Sequence, residues 1–292
     1  MNDIVGIDLG TTNSLIGVMD SGFPVLIADS EGSRLTPSVV HFPDKGDPIV
    51  GGPARRMLVL EPERTVYSVK RLIGRRPGES EKEDLPFAVK SVDGRMMVDV
   101  GGNHLTPERV SSLVLRKLKA DAEQSLGRHV DRAVITVPAY FNDLQRQATK
   151  RAGELAGFAV ERIINEPTAA ALAYGLNRLR DRSKIAVYDL GGGTFDVSIL
   201  ELNDGVFRVL STNGNTRLGG DDIDREFVRL LKERIIGRHP DLRPAVEERI
   251  FLARLREIAH GAKLRLSTED MVAIEIPFLR GSNSFSYSMT RQ

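Results

Sequence analysis

One phosphate-type hairpin is written twice in this chain, and the duplication constrains the fold more than any other feature. The first copy reads Ile4-Val-Gly-Ile-Asp8-Leu-Gly10-Thr11-Thr12-Asn13 and runs into the apolar stretch Ser14 to Met19. The second reads Ile185-Ala-Val-Tyr-Asp189-Leu-Gly191-Gly192-Gly193-Thr194 and runs into Phe195 to Leu200. Each copy is an apolar strand, a carboxylate at its end, a tight Gly/Thr turn and a second strand. Glycines let backbone N–H groups come close to an anion, and threonine hydroxyls add donors. A carboxylate beside such a turn repels a bare phosphate. A cation between them, held directly or through water as Mg2+ commonly is, reconciles the two. Two such hairpins predict two related lobes gripping one nucleotide phosphate tail.

Composition removes several function classes. The 292 residues suffice for two medium domains or one two-lobed unit. With 41 Lys and Arg against 40 Asp and Glu, the chain lacks the charge of an electrostatically driven nucleic-acid binder. Absence of cysteine excludes disulfides, thiol catalysis and Cys-ligated zinc. The histidines, at 41, 104, 129, 239 and 260, are scattered without paired metal-ligand spacing. No run is long enough to span a membrane, and Met1-Asn-Asp-Ile enters a strand without a signal peptide. A soluble, cytoplasmic protein is expected.

Along the chain, residues 39–105 are rich in Gly, Pro and charge and read as a small insertion of short strands and a helix or two. Thr106 suits an N-cap and Pro107 the first helical position. Apolar residues at helical spacing follow, and Gly127 ends the run. Ala133 to Val137 reads as a buried strand. Asn142 and Asp143 cap a helix from Leu144 to Ala156, and Gly157 closes it. Val160 to Ile164 is a further strand, and Glu166-Pro167 opens an Ala-rich helix to about Leu176. Polar residues 177–183 read as the crossing between lobes. Asp221 and Asp222 precede a helix, a long helix is predicted from Ala245 to Leu266, and 271–276 with 284–288 form a strand pair joined by a Gly281-Ser-Asn turn. Strands alternating with helices around a repeated hairpin predict an α/β architecture in two lobes. Lobe I is expected over 1–178, with its core at 1–38 and 106–178 and the insertion at 39–105. Lobe II is expected over 179–292, with its core at about 179–222 and a further subdomain over 223–292.

Several blocks now carry a family resemblance. Ile7-Asp8-Leu-Gly-Thr-Thr-Asn-Ser14, Val69-Lys70-Arg71-Leu-Ile-Gly74, Val137-Pro-Ala-Tyr-Phe-Asn-Asp143, Ile164-Asn-Glu-Pro-Thr-Ala-Ala-Ala171, Asp189-Leu-Gly-Gly-Gly-Thr-Phe-Asp196 and Leu218-Gly-Gly-Asp-Asp-Ile-Asp224 stand in order. Together they resemble the ATPase domain of the seventy-kilodalton heat-shock chaperones of the DnaK type. The resemblance implies an actin-like, ribonuclease-H-like fold, with ATP or ADP, Mg2+ and, in this family, K+ in a deep cleft. It also implies stress-response chaperone function, with J-domain co-chaperones meeting Arg162, Asn165 and Thr168, and a nucleotide-exchange factor as a further partner. Pro138 and Arg146 match the family's switch pair. The match stops short of the family's end, so a truncated ATPase domain is expected, with client peptides bound through a domain outside this chain.

Phosphoryl transfer to water needs positioning and charge stabilisation more than covalent chemistry. Asp8 and Asp189 are read as Mg2+ ligands through water. Thr11, Thr12, Gly191, Gly192, Gly193 and Thr194 are read as donors to the β- and γ-phosphates, and Gly10, Asn13, Gly219 and Gly220 as further cofactor-binding residues. By resemblance Lys70, Glu166, Asp196 and Thr194 do the catalytic work, with Lys70 reaching the γ-phosphate. Lys263 and Ser267 match adenosine contacts, while His260 stands where the family has an acidic residue, and its bland reading is an exposed helix histidine. Arg71, Arg75 and Arg76 read as a solvated basic face, and the plain reading of Arg146 is an exposed helix arginine. A sugar kinase or an actin-like filament protein of the same fold superfamily, or a silent partner-binding fragment, are the rival functions.

Overall fold

The computed structural model describes residues 4–78, 85–175, 183–203, 206–277, 279 and 284–292. Strands β1 (Ile4–Asp8) and β2 (Asn13–Asp20) form the first hairpin, with Val5 opposite Val18 and Asp8 opposite Leu15. Period-two alternation sends Val5, Ile7, Ile16 and Val18 into the core. Strand β3 (Phe23–Leu26) pairs with β2, as does the short β4 (Thr36–Pro37). The insertion opens with β5 (Val40–His41), β6 (Ile49–Val50), helix α1 (Gly52–Arg56) and β7 (Thr65–Val66), β5 lying between β6 and β7. A 3-10 turn over Val69–Arg71 follows. The insertion ends in an antiparallel sheet of β8 (Ala88–Val92), β9 (Arg95–Val100) and β10 (Asn103–Leu105).

Helix α2 (Pro107–Leu126) starts and stops where its punctuation predicts. Thr106 accepts the Arg109 N–H, and Gly127 takes φ 65°. Strand β11 (Arg132–Val137) then runs parallel to β1, with Ile135 beside Ile7. Helix α3 (Asp143–Leu155) opens on a capping box between Asn142 and Gln145. A Cβ on its Gly153 would come 2.5 Å from Val160 Cγ2 and 2.9 Å from Ile135 Cδ1, so glycine lets this helix lie close on the sheet. Strand β12 (Ala159–Asn165) joins parallel to β11, and helix α4 (Glu166–Gly175) leaves its end without a loop. The sheet order is β12-β11-β1-β2-β3.

The second hairpin is β13 (Ser183–Leu190) with β14 (Phe195–Asn203), and β15 (Val206–Asn215) completes an antiparallel sheet. Asp189 stands opposite Asp196 here, as Asp8 stands opposite Leu15 in the first hairpin. Both partners lie seven positions downstream of their aspartate, so the two turns span the same register.

Helix α5 (Gly220–Arg238), helix α6 (Arg249–Leu266) and the hairpin of β16 (Met271–Ile276) and β17 (Phe285–Thr290) follow. They enclose their own core, including Leu231, Ile235, Leu255, Ile274 and Phe285. Two compact units result: Met1–Arg56 with Glu63–Gly219, and Met57–Pro62 with Gly220–Gln292. The lobe boundary expected at 178/179 and the turn expected at 281–283 lie outside the described residues.

Two element predictions need correction. The helix predicted from Ala245 is a 3-10 turn over Ala245–Glu247, and Glu248 is extended at ψ 136° before α6 begins at Arg249. That turn buries Val246 completely, and its burial takes precedence over helical continuity. Asp221 and Asp222 do not precede α5 but occupy its first turn, where carboxylates complement the helix dipole.

Candidate functional site

The first Gly/Thr turn is braced from behind by two buried serines. The Gly10 N–H donates to Ser14 Oγ at 3.2 Å, Ser14 Oγ and Ser38 Oγ are 2.9 Å apart, and Ser38 Oγ donates to Gly10 O at 2.8 Å. The Ser38 N–H donates to Thr12 O at 2.9 Å. In the second turn the Gly191 N–H donates to Thr194 O at 2.9 Å. The turns meet: a Cβ on Gly192 would overlap Thr12 Oγ1, and one on Gly193 would come 2.8 Å from both Thr11 Cγ2 and Arg71 Nε. A third glycine closes in, since a Cβ on Gly219 would lie 2.5 Å from Gly192 C. Close packing of this kind, against side chains at Gly192 and Gly193 and against backbone at Gly219, explains the glycine content better than flexibility does.

Around these turns stands a cluster of charge within the first unit. Lys70, from the 3-10 turn, is only 6% exposed, and its Nζ donates to Glu166 Oε1 at 2.7 Å. Phe141 faces the same ammonium, 5.8 Å from ring centroid to Nζ. Glu166 is the first residue of α4. Burial holds its carboxyl above the usual range, Lys70 opposes, and Asp8 and Asp189 add to the rise. Asp8 is steadied by Thr136, whose Oγ1 donates to Asp8 Oδ1 at 3.2 Å. Asp189 is pushed up by burial and then by Asp8. Burial also raises Asp196, with Asp189 adding, while the Ala139 backbone N–H and Lys70 pull it down. Asp196 Oδ1 is buried without a hydrogen-bond partner.

Four carboxylates share one cluster with Lys70, so its charge favours a cation. Among the described residues no three acidic or imidazole groups stand close enough to coordinate one metal ion directly. Mg2+ retains several waters when bound, and a hydrated ion suits Asp8 and Asp189, whose mutual repulsion it would relieve.

The family model described as Hsp70 protein matches residues 4–292. This chain belongs to the Hsp70 family. The match lies over the nucleotide-binding region of these ATP-dependent chaperones, and the mixed sheets and helices fit the actin-like ATPase fold. Of the residues that the Hsp70 resemblance points to, Asp8, Thr11, Thr12, Lys70, Glu166, Asp189, Gly191, Gly192, Gly193, Asp196 and Gly219 all lie in the first unit, as do Gly10, Asn13 and Thr194. Gly220, Lys263 and Ser267 belong to the second. There Lys263 Nζ donates to Asp224 Oδ2 at 2.8 Å and to Gly220 O at 3.0 Å. Lys263 and Ser267 also line a cavity of about 440 Å³ with Phe227, Tyr287 and Arg291.

The plain readings of several Hsp70 positions do not hold. His260 is not an exposed helix histidine: it is half-buried, with Nδ1 3.1 Å from Asp224 Oδ2. Arg146 donates to Phe141 O at 2.9 Å and to Ala139 O at 3.2 Å, so it grips the turn that begins at Pro138. Arg71 is buried and Arg75 half-buried, leaving Arg76 as the exposed member of that basic run. Ser14, Ser38, Thr136 and Phe141 escaped the sequence reading as site residues. Ser14 and Phe141 lie inside matched blocks, and for Ser38 and Thr136 the sequence carries no local signal.

Proposed function

We propose that this chain holds Mg·ATP by its phosphate tail at the two Gly/Thr turns and hydrolyses it to ADP and phosphate, as the ATPase domain of a DnaK-type chaperone. The observation that carries this reading is the buried Lys70–Glu166 ion pair beside Asp8, Asp189 and Asp196. Lys70 supplies fixed positive charge for the γ-phosphate, and Glu166 sets the direction of its ammonium. Thr11, Thr12 and the amides of Gly192, Gly193 and Thr194 donate to phosphate oxygens, while the Gly191 N–H closes the turn on Thr194 O. Asp196 has a free buried oxygen and a raised pKa, so it can accept a hydrogen bond from the attacking water and then its proton. Asp8 and Asp189 would hold Mg2+ through its waters, and the ion would neutralise charge on the phosphates.

Arg162 is exposed, and Asn165 and Thr168 flank Glu166. A J-domain co-chaperone on these positions would press on the strand end and helix start that carry a catalytic carboxylate. No helix among the described residues is long and apolar enough to cross a membrane, and we place the activity in the cytoplasm.

Phosphate release from Mg·ATP without any added sugar tests the reading. Lys70→Ala is expected to lower turnover roughly 100- to 1,000-fold, as for comparable electrostatic stabilisers, with nucleotide binding largely retained. Turnover within a few-fold of the parent would remove Lys70 from the mechanism. ADP formation that required a sugar would mean a kinase.

A further inference from the structure

We infer that Arg71 is a positioning residue that ties the second phosphate-binding turn to the 3-10 turn carrying Lys70. The inference rests on the ATPase reading above. Arg71 follows Lys70 directly and is 4% exposed. Its Nη2 donates to Gly192 O at 3.4 Å, and its Nε lies so near Gly193 that a Cβ there would come within 2.8 Å. Thr11 of the first turn meets the same glycine. The guanidinium therefore sits where both turns converge, beside the lysine that reads the phosphate.

The peptide group explains what the tie achieves. In a trans peptide the C=O and the following N–H point in opposite directions. Holding Gly192 O toward Arg71 turns the Gly193 N–H the other way, presenting it as a donor on the face away from the arginine. The arginine is itself well anchored. Ser68, at the start of the 3-10 turn, takes the left-handed φ 52° that few non-glycine residues adopt. Gly74, at φ 65°, lies against α3 so tightly that a Cβ would come 2.5 Å from Gln145 Cα. Arg75 adds a second tie, Nη2 donating to Thr216 O at 3.1 Å beyond the end of β15. Residues 68–75 thus fix Lys70 and hold the β13–β15 sheet at two carbonyls, one in the turn of the second hairpin and one just past β15. A planar, permanently charged fork can bond Gly192 O while flanking Gly193; a lysine ammonium can reach one carbonyl as a point charge but cannot do both.

The test uses the full chain with Arg71→Lys and Arg71→Ala, read by turnover at saturating Mg·ATP, by melting, and by amide hydrogen exchange across 190–195 without nucleotide. Arg71→Lys is expected to keep the parental melting temperature, lower turnover roughly 10- to 100-fold and speed exchange in the turn, as loss of a charge-assisted hydrogen bond would. Arg71→Ala should behave likewise and regain part of its turnover with millimolar guanidinium, which a purely structural role would not allow. Parental turnover and parental exchange in Arg71→Lys would overturn the inference. So would loss of cooperative folding in both variants, which would make Arg71 a core prop. If the parent itself releases no phosphate, the ATPase reading fails, and the exchange measurement alone decides whether the tie exists.

Discussion

Glu166, Asp189 and Asp196 all titrate above the ordinary carboxyl values of 3.8 and 4.5. The sign of that displacement has a consequence for stability. A carboxyl whose folded pKa is raised contributes stability below its unfolded pKa and loses it as pH rises through the folded value. At neutral pH these side chains therefore oppose folding, and the ATPase role proposed for them would account for carboxylates kept at that cost. Asp189→Asn is expected to raise the melting temperature of the nucleotide-free protein at pH 7 by about 1–4 °C, with the gain vanishing near pH 4, while ATP turnover falls. Calorimetry at the two pH values checks this. A lower melting temperature at pH 7 would mean that the Asp189 charge has a stabilising partner.

At the scale of elements, the start of α3 and the turn carrying Lys70 are built against each other through Gly74. An alanine there meets both an unfavourable positive φ and the backbone of Gln145. Gly74→Ala is expected to cost about 2–4 kcal/mol in urea unfolding, with ATPase activity reduced beyond what the unfolded fraction explains. A cost below about 0.5 kcal/mol would show that the contact yields easily. The limits of α2 and α3 were legible because capping is local: Thr106 and Asn142 each accept from a backbone N–H three positions away, and Gly127 ends α2 through its own left-handed φ. The twin hairpins were legible for the same reason. The braces behind them were not, because Ser38 reaches Gly10 across 28 positions and Thr136 reaches Asp8 across 128. Arg71 looked like a surface residue for want of that information: a basic run has the same local pattern whether it faces water or a carbonyl 121 positions away. The break at Glu248 was hidden likewise, since Val246 fits a helix as well as it fits the second core.

At the scale of the molecule the described residues form two hydrophobic cores, one around Val5, Ile7, Leu115 and Ile135, the other around Leu231, Ile235, Leu255 and Phe285. Each lies within one compact unit. The β13–β15 sheet is less deeply packed than either: Tyr188 and Val206 are about two-thirds exposed. Leu231→Ala is expected to cost the second core about 2–5 kcal/mol. Hydrogen exchange should then quicken in α5, α6 and β16 while β1 and β11 keep their protection. Equal loss of protection in β1 and β11 would show that the two cores melt as one.

The apposition of Thr12 and Gly192 bears on time as well as on binding. On the ATPase reading, a phosphate gripped by both turns would be expected to leave only as one of them moves. The dwell time of phosphate after hydrolysis would then be set by backbone motion rather than by the bond-breaking step. The two glycine hairpins would act as a clock that fixes how long the protein remembers the ATP it has spent.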